Sequence, residues 1–349
     1  MRTKLIPALS ALLLCAAGTS HAVVSTNDPS NWILSPGQNI NGTGAAAFDG
    51  VAKLLYTAAS DGGGYVCSGS LLSGGMYVLT AAHCADDFTT MTVDFKFGAV
   101  TAKVAEAYVQ PGWTGFGNSV GNGSDIAILK LDQKINGIQG FKLSTTNDLG
   151  KDMLLAGYGL VGTGNTGATD FDRPSDDLWR PHFGFNTADT TDKTLSDTVF
   201  GAGSGSNQFG ETYVFDFDNG RRAKNALQRI ADEFGGTWSS DRGLGESEAL
   251  IAGGDSGGGD FVWNGSEWLV SGVHSYGWGL CGGLEIPLCD RLPGTNSSFG
   301  DLSGSTAVFS HVDWINSVTG VPEPETYALM LAGLAGVIAA ARRRKQAQA

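Results

Sequence analysis

Short apolar segments, separated by polar and glycine-rich stretches, run through the central part of the chain. They have the length, and several the alternation, expected of β-strands. The clearest are residues 51–56, 65–70, 76–80, 261–263 and 267–270. Ser-Gly-Gly at 73–75 and Asn-Gly at 264–265 are turn sequences between neighbouring segments, which predicts two β-hairpins. The pattern therefore predicts an all-β protein built from short antiparallel strands.

One segment has helical periodicity instead. In residues 223–234, Leu227, Ile230 and Ala231 fall on one face of a predicted short helix. This segment belongs to a long stretch, residues 160–244, that also contains a flexible glycine- and serine-rich run at 201–205.

The two ends of the chain are apolar. A basic start, an apolar run over residues 5–17 and a small-residue cleavage site at 20–22 predict a secretory signal peptide over residues 1–22. Residues 23–39 are predicted to be an exposed leader or propeptide. At the other end, residues 327–341 are apolar and are followed by Arg-Arg-Arg-Lys, which predicts a short transmembrane segment with a cytoplasmic basic end.

The composition of the chain narrows the range of functions it could have. The chain has 349 residues, 52 of them glycine, and a net charge of −13 that becomes more negative once the basic ends are removed. A soluble part this acidic is a poor candidate for binding nucleic acid. Outside the signal peptide the cysteines are even in number, as suits an oxidising compartment: Cys67, Cys84, Cys281 and Cys289.

Residues 253–259 read Gly-Gly-Asp-Ser-Gly-Gly-Gly and place Ser256 in a sharp turn. A serine hydroxyl becomes a nucleophile when a base takes its proton and backbone N–H groups await the oxyanion. A plain flexible loop is one alternative. Gly254-x-Ser256-x-Gly258 also fits the nucleophile elbow of α/β-hydrolases. The partners of Ser256 elsewhere in the chain must decide between these interpretations.

Two further segments carry a family resemblance. Residues 67–72 (Cys-Ser-Gly-Ser-Leu-Leu) and 79–84 (Leu-Thr-Ala-Ala-His-Cys) resemble the histidine segment of chymotrypsin/trypsin-like serine proteases. Residues 124–131, in which Asp125 precedes an apolar strand, resemble the family segment whose Asp orients that histidine. The resemblance implies that His83 is the base.

Chain order separates this family from the α/β-hydrolases. His83, Asp125 and Ser256 follow in the order of chymotrypsin-like enzymes. An α/β-hydrolase needs its histidine after the serine. His274 and His311 lie there, but neither has a comparable setting, and no alternating βα pattern runs through the chain.

The resemblance covers about residues 40–318 and implies two antiparallel Greek-key β-barrels. Residues 308–315 resemble the closing C-terminal helix of the family, and the unmatched part within 160–244 is an insertion. The implied activity is that of a secreted serine endopeptidase acting on proteins or peptides. The rival from another class is a non-catalytic surface or matrix adhesin built on a protease fold.

The implied chemistry needs no cofactor and no metal. Ser256 is the nucleophile, His83 the general base and Asp125 its orienting acid, and the N–H groups of Gly254 and Ser256 form the oxyanion hole. Residues 216–220 (Asp-Phe-Asp-Asn-Gly) suggest an oxygen-rich calcium loop, but a strand followed by a turn is favoured there, because the later bidentate Glu of an EF-hand is missing.

The pocket residues implied by the family argue against trypsin-like cleavage. The acid that trypsin needs six residues before the nucleophile is Leu250 here, followed by Ile251. An apolar pocket is favoured. The alternative is preference for Glu before the scissile bond, through His274, as in glutamyl endopeptidases that resemble this family. The wall of the pocket is predicted to be His274, Ser275, Tyr276 and Gly277.

The family also predicts the covalent bonds of the chain. Its histidine-loop bridge implies Cys67–Cys84. The cysteine that the family often has four residues before the nucleophile is Ala252 here, so Cys281 is predicted to pair with Cys289.

In the family a freed N-terminus inserts and pairs with the Asp before the nucleophile. That Asp is Asp255 in this chain. Because Ile-Asn-Gly-Thr at 40–43 resembles the family's Ile-Val-Gly-Gly start, the mature chain is predicted to begin near Ile40.

The tail over residues 319–349 resembles the PEP-CTERM sorting tail of Gram-negative bacteria. Its features are Pro-Glu-Pro at 322–324, a short apolar span and a basic end. The resemblance implies processing by an exosortase-type enzyme, transient anchoring in the inner membrane, and delivery to the cell surface or beyond.

Overall fold

The computed structural model describes residues 23–35, 40, 47–96, 98–169 and 180–320. The predicted signal peptide and the apolar tail segment 327–341 lie outside these residues. No helix among the described residues is long and apolar enough to cross a membrane.

The described residues are mostly β. Their strands are β1 (Val24–Ser25), β2 (Val51–Thr57), β3 (Gly64–Leu71), β4 (Tyr77–Thr80), β5 (Thr90–Phe95), β6 (Val100–Val109), β7 (Ala127–Leu131), β8 (Lys142–Leu143), β9 (Asp152–Gly157), β10 (Val161–Thr163), β11 (Gly167–Thr169), β12 (His182–Thr187), β13 (Thr190–Thr191), β14 (Thr212–Asp216), β15 (Ala249–Leu250), β16 (Gly259–Trp263), β17 (Trp268–Trp278) and β18 (Leu302–Ala307). The helices are α1 (Phe116–Ser119), α2 (Asp192–Phe200), α3 (Ala226–Phe234), α4 (Leu280–Gly283) and α5 (Val312–Thr319). Short 3-10 turns occupy Pro29–Trp32, Ala47–Gly50, Ala82–Cys84, Gly245–Ser247 and Val308–His311.

The first half of the chain forms a closed barrel in the order β2-β3-β4-β7-β6-β5. Alternate residues of its strands point inward and fill the barrel, among them the fully buried Leu54, Val93 and Ile128. The strands predicted at residues 51–56, 65–70 and 76–80 are confirmed as β2, β3 and β4.

The second half forms an eight-stranded sheet in the order β12-β9-β16-β17-β18-β14-β13, with β8 beside β17. Within the described residues this sheet does not close, so it is a half-barrel, whereas the sequence predicted two barrels. The predicted hairpin around residues 264–265 is confirmed, since Trp263 pairs with Trp268 at the end of β16 and β17.

The prediction that the N-terminal leader is exposed is wrong. Val23 and Val24 are buried, and β1 lies between β10 and β15 in a four-stranded sheet. Val24 pairs with Leu250, and its side chain packs with that of Leu250 in an apolar cluster. Two consecutive valines supply apolar β-branched side chains that such a position favours.

The stretch predicted to contain an insertion contributes both sheet strands and helices. β12 and β14 belong to the eight-stranded sheet, and α2 and α3 lie between or after them. The predicted helix is confirmed as α3, with Leu227 and Ile230 fully buried. The side chain of Asn225 caps its first turn by accepting the N–H of Gln228 at 2.7 Å.

Two disulfides join the cysteines of the described residues. They pair Cys67 with Cys84 and Cys281 with Cys289, as expected from the sequence. The first connects β3 to the turn that carries His83, and therefore fixes this turn against the barrel.

Candidate active site

His83 and Asp125 are positioned by two neighbouring strands of the closed barrel. β4 ends at Thr80, which pairs with Ala127 at the start of β7. His83 lies in the turn just after β4, and Asp125 lies just before β7. Because the two strands are antiparallel, the end of one and the start of the other meet at the same edge.

Asp125 is a buried acceptor that receives several donors. Its Oδ2 lies 2.8 Å from Nδ1 of His83, and its Oδ1 accepts the backbone N–H of His83 at 3.0 Å. The hydroxyl of Ser275 donates to Oδ2 at 2.5 Å, and that of Thr306 donates to the backbone carbonyl of Asp125 at 3.0 Å. Ser275, predicted as pocket wall, thus contacts Asp125. These bonds hold the imidazole ring with Nδ1 towards the carboxylate.

The environment of His83 has opposing effects on its pKa. Burial lowers the pKa, but the charge of Asp125, the hydrogen bond to it and the charge of Asp86 more than offset this, so that the pKa is raised above 6.5. The ring also packs edge-on against Phe116, with 5.0 Å between ring centroids, and lies 6.4 Å from the ring of Trp113. The side chain remains 16% exposed on the other side.

The Ser256 turn is fixed against the barrel by its backbone. The carbonyl oxygen of Ser256 accepts the N–H of Ser68 at 2.7 Å, and the N–H of Gly257 donates to the carbonyl of His274 at 2.8 Å. Gly257 has φ +79°, and a Cβ there would lie 2.0 Å from Oγ1 of Thr80. Only glycine therefore lets the turn approach β4 this closely.

The same turn lies beside the histidine turn. Sγ of Cys84, the residue after His83, is 3.5 Å from the carbonyl oxygen of Ser256. Among the described residues no hydrogen bond joins the Ser256 hydroxyl to the His83 ring. Such bonds are often long in a free enzyme and shorten when substrate binds. The N–H groups of Gly254 and Ser256 donate to no described residue, which leaves both available to an incoming acceptor.

Asp255 is buried beneath the turn and accepts three backbone N–H groups. Those of Gly159 and Ala252 donate at 2.8 Å each, and the third belongs to Val23 at the start of β1. Burial raises the pKa of Asp255 to about 6, although these bonds and the charge of His274 act in the opposite direction.

His274 is enclosed rather than presented at a surface. It is fully buried, its Nδ1 lies 3.1 Å from the carbonyl oxygen of Asp255, and its Nε2 lies 2.9 Å from Oδ1 of Asp260. This last contact is an ion pair when His274 is protonated. Burial lowers the pKa of His274, but the charges of Asp260 and Asp255 and the contacts with their oxygens together outweigh that effect and raise the pKa. The sequence analysis did not predict Asp260 as a partner of His274. An acidic residue within the otherwise apolar segment 259–263 was the signal that could have indicated it.

The other predicted pocket residues, except Gly277, are also buried. Leu250 pairs with Val24, and Ile251 packs in the same apolar cluster. The hydroxyl of Tyr276 donates to the buried carboxylate of Asp192, and Gly277 is half-buried. Asp192 was missed because the sequence separates it from Tyr276 by 84 residues.

One group of potential metal ligands lies close to the site. Among the described residues, side-chain donor atoms of Cys67, His83 and Cys84 lie within 4.8 Å of one another. Because the two cysteines are joined in a disulfide, neither offers a thiolate, and the group is not a metal site.

Comparisons with known proteins match two parts of the chain to known families. The trypsin family matches residues 44–208, which include His83 and Asp125 but end before Ser256. The PEP-CTERM protein-sorting motif matches residues 320–345 and indicates export and surface or membrane association in Gram-negative bacteria. No curated protein matches the chain.

Among solved structures, the one titled HL collagenase is similar in fold. The comparison covers 82% of this chain and 100% of that chain, with a TM-score of 0.51 and 19% identity. The closed barrel and half-barrel described above are therefore those of the chymotrypsin-like fold. The chain carries a trypsin-family domain of this fold, followed by a PEP-CTERM sorting motif.

Proposed function

We propose that the protein is a secreted serine endopeptidase. The observation that supports it best is the hydrogen bond between His83 and buried Asp125, beside a glycine turn that carries Ser256. In a trypsin-family domain this arrangement provides a base, its orienting acid and a nucleophile in one place.

The reaction proceeds through an acyl-enzyme. Oγ of Ser256 attacks the scissile carbonyl carbon while its proton passes to Nε2 of His83. The N–H groups of Gly254 and Ser256 stabilise the negative oxygen of the tetrahedral intermediate. His83 then protonates the leaving amine. Water attacks the acyl-enzyme and gives a proton to His83, which passes it to Oγ of Ser256 as the acid product departs. Asp125 keeps the required tautomer and stabilises the imidazolium.

A peptide-library digest read by mass spectrometry tests this proposal against the adhesin alternative. We expect cleavage products, together with covalent labelling of Ser256 by a serine-directed phosphonate. Binding to peptides without cleavage or labelling would favour the adhesin.

The same digest tests specificity. We propose preference for an apolar residue before the scissile bond. Both ring nitrogens of His274 lie next to buried oxygens, which argues against its binding a substrate carboxylate. In matched peptides we expect Leu or Phe to exceed both Arg and Glu by tenfold or more, about 1.4 kcal/mol in the transition state. Dominance of Glu, lost in a His274→Ala variant, would contradict this.

Activity should depend on the protonation of His83. Protonated His83 cannot accept the proton of Ser256, and its pKa is raised above 6.5. We therefore expect kcat/KM to fall about tenfold per pH unit below a midpoint above 6.5. A profile from pH 5 to 9 measures this midpoint. A single-ionisation acid limb centred well below 6.5 would show that another group controls activity.

For activation, we propose a different mature N-terminus from the one that the sequence predicted near Ile40. Val23 follows the predicted signal cleavage site, and its N–H donates to Asp255. We propose that signal peptidase cleavage after Ala22 makes Val23 the N-terminus. Its ammonium group then replaces the amide next to the buried carboxylate, which is a stronger, charge-assisted interaction.

N-terminal sequencing of the active, exported protein is expected to give Val23. An Asp255→Asn variant should lose at least about tenfold in kcat/KM, since a buried ammonium without its acid destabilises the inserted end. An added alanine before Val23 should have a similar effect. Active enzyme that begins at Ile40 would contradict the proposal.

The two ends fit the same route of export. We propose that residues 1–22 direct secretion and that the tail anchors the chain transiently in the inner membrane until an exosortase-type enzyme processes it. Pulse-labelled chains should therefore shorten first at the N-terminus and later at the C-terminus.

A further inference from the structure

A cluster of carboxylates lies at the end of β14. Asp216 and Asp218 come from the end of this strand, and Glu248 precedes β15; each is at most 2% exposed. Asp189, between β12 and β13, and Asp241, in the loop before Glu248, complete the group and interact electrostatically with Asp218. We call these five residues the acidic cluster.

The carboxylate of Asp218 stands apart from the others. Asp218 is 1% exposed, yet neither of its carboxylate oxygens has a hydrogen-bond partner among the described residues. By contrast, Oε1 of Glu248 accepts the N–H of Asp218 at 2.9 Å, and Oδ2 of Asp216 accepts that of Leu227 at 2.9 Å. Asp218 is thus a buried, unsatisfied acceptor surrounded by other acids.

Within the described part of the chain, no basic side chain forms an ion pair with these acids. None of the ion pairs between described residues includes a member of the acidic cluster. Burial, and then repulsion from Asp216 and Glu248, raises the pKa of Asp218 to about 10, and burial raises that of Glu248 to about 9. Buried carboxylates need either protons or a cation.

We propose that the acidic cluster binds a divalent cation of the calcium type, with Asp218 as the central ligand. A hard cation takes six to eight oxygen ligands, and carboxylates supply several of them without thiols or imidazoles. The PEP-CTERM motif indicates export, and exported modules commonly bind calcium at about 10⁻⁴–10⁻³ M.

Binding requires the side chains to draw together. No three cluster carboxylates among these described residues have oxygens that all lie within 4.8 Å of one another. A cation held between them would offset the repulsion from Asp216 and Glu248 that raises the pKa of Asp218. Backbone N–H groups hold Glu248 and Asp216, whereas no hydrogen bond among the described residues has to break before the Asp218 carboxylate can turn towards an ion.

The test uses the exported full chain with Ser256→Ala, which prevents self-cleavage, after treatment with a chelator and dialysis. We expect 10 mM CaCl2 to raise Tm by about 5 °C. Equilibrium dialysis should detect calcium bound to the parent and not to a variant lacking Asp218. Absence of any shift with calcium, magnesium or manganese would overturn the proposal.

Two variants locate the site. Asp218→Asn keeps the shape but removes the ligand charge, so we expect it to lose at least four-fifths of the calcium shift. Glu248→Gln should lose a smaller part. The control Asp313→Asn removes an exposed carboxylate on α5 and should keep the full shift. A full calcium shift in both Asp218→Asn and Glu248→Gln would place the ion elsewhere and overturn the proposal.

Discussion

Ser256→Ala is expected to abolish peptide hydrolysis, with kcat falling about 10⁶-fold. The substitution removes the attacking oxygen and leaves the turn unchanged, since the bonds that hold it are made by the backbone of residues 256 and 257. Tm should therefore stay within about 2 °C of the parent. Progress curves with a fluorogenic peptide, read beside thermal unfolding, measure both quantities.

The matched control is Ser317→Ala, which removes a hydroxyl from an exposed position on α5. It should leave kcat unchanged. If Ser256→Ala retained more than about 1% of the parent activity, another nucleophile would have to be sought.

Asp125→Asn is expected to give the second largest loss, about 10⁴-fold in kcat at neutral pH. An asparagine amide can take the place of the carboxylate but offers Nδ1 of His83 a donor as readily as an acceptor. The imidazole then adopts the wrong tautomer and loses the charge that stabilises its protonated form. Kinetics across pH 6–10 measure the loss.

Ser275→Ala separates the effect of positioning Asp125 from the effect of losing its carboxylate. Its hydroxyl donates to Asp125 at 2.5 Å, and no hydrogen bond among the described residues joins it to His83. We expect kcat to fall far less than in Asp125→Asn, and the midpoint of the acid limb to move, because the carboxylate that raises the pKa of His83 loses a donor. Equal losses in the two variants would show that Ser275 does more than position the acid.

Much of the fold was predictable because its signals are local. Strand alternation at residues 51–56 and the Asn-Gly turn at 264–265 depend on neighbours in sequence. The closed barrel agreed with the family resemblance, whereas the second sheet is a half-barrel within the described residues. Whether a sheet closes depends on pairing between distant strand edges, on which the local pattern carries no information.

The site was predicted in part for the same reason. The segments around His83, Asp125 and Ser256 are short, and the sequence names each. Their mutual distances follow from the fold: β4 pairs with β7, and the Ser256 turn hydrogen-bonds to β3. Ser275 was assigned to the pocket wall, and only the structure shows its bond to Asp125, 150 residues away.

The sequence by itself determined several of the strands, the order of the three site segments, the two cysteine pairs expected from the family, and the sorting tail. Only the tertiary structure decided which groups lie next to the buried charged side chains. It placed Val23 at Asp255, enclosed His274 between two aspartates, and assembled the acidic cluster from segments up to 59 residues apart, from Asp189 to Glu248. The physical reason is that the free energy of a buried charged group depends on its burial and on partners distant in sequence. Neither can be read from the residues next to that group in the chain.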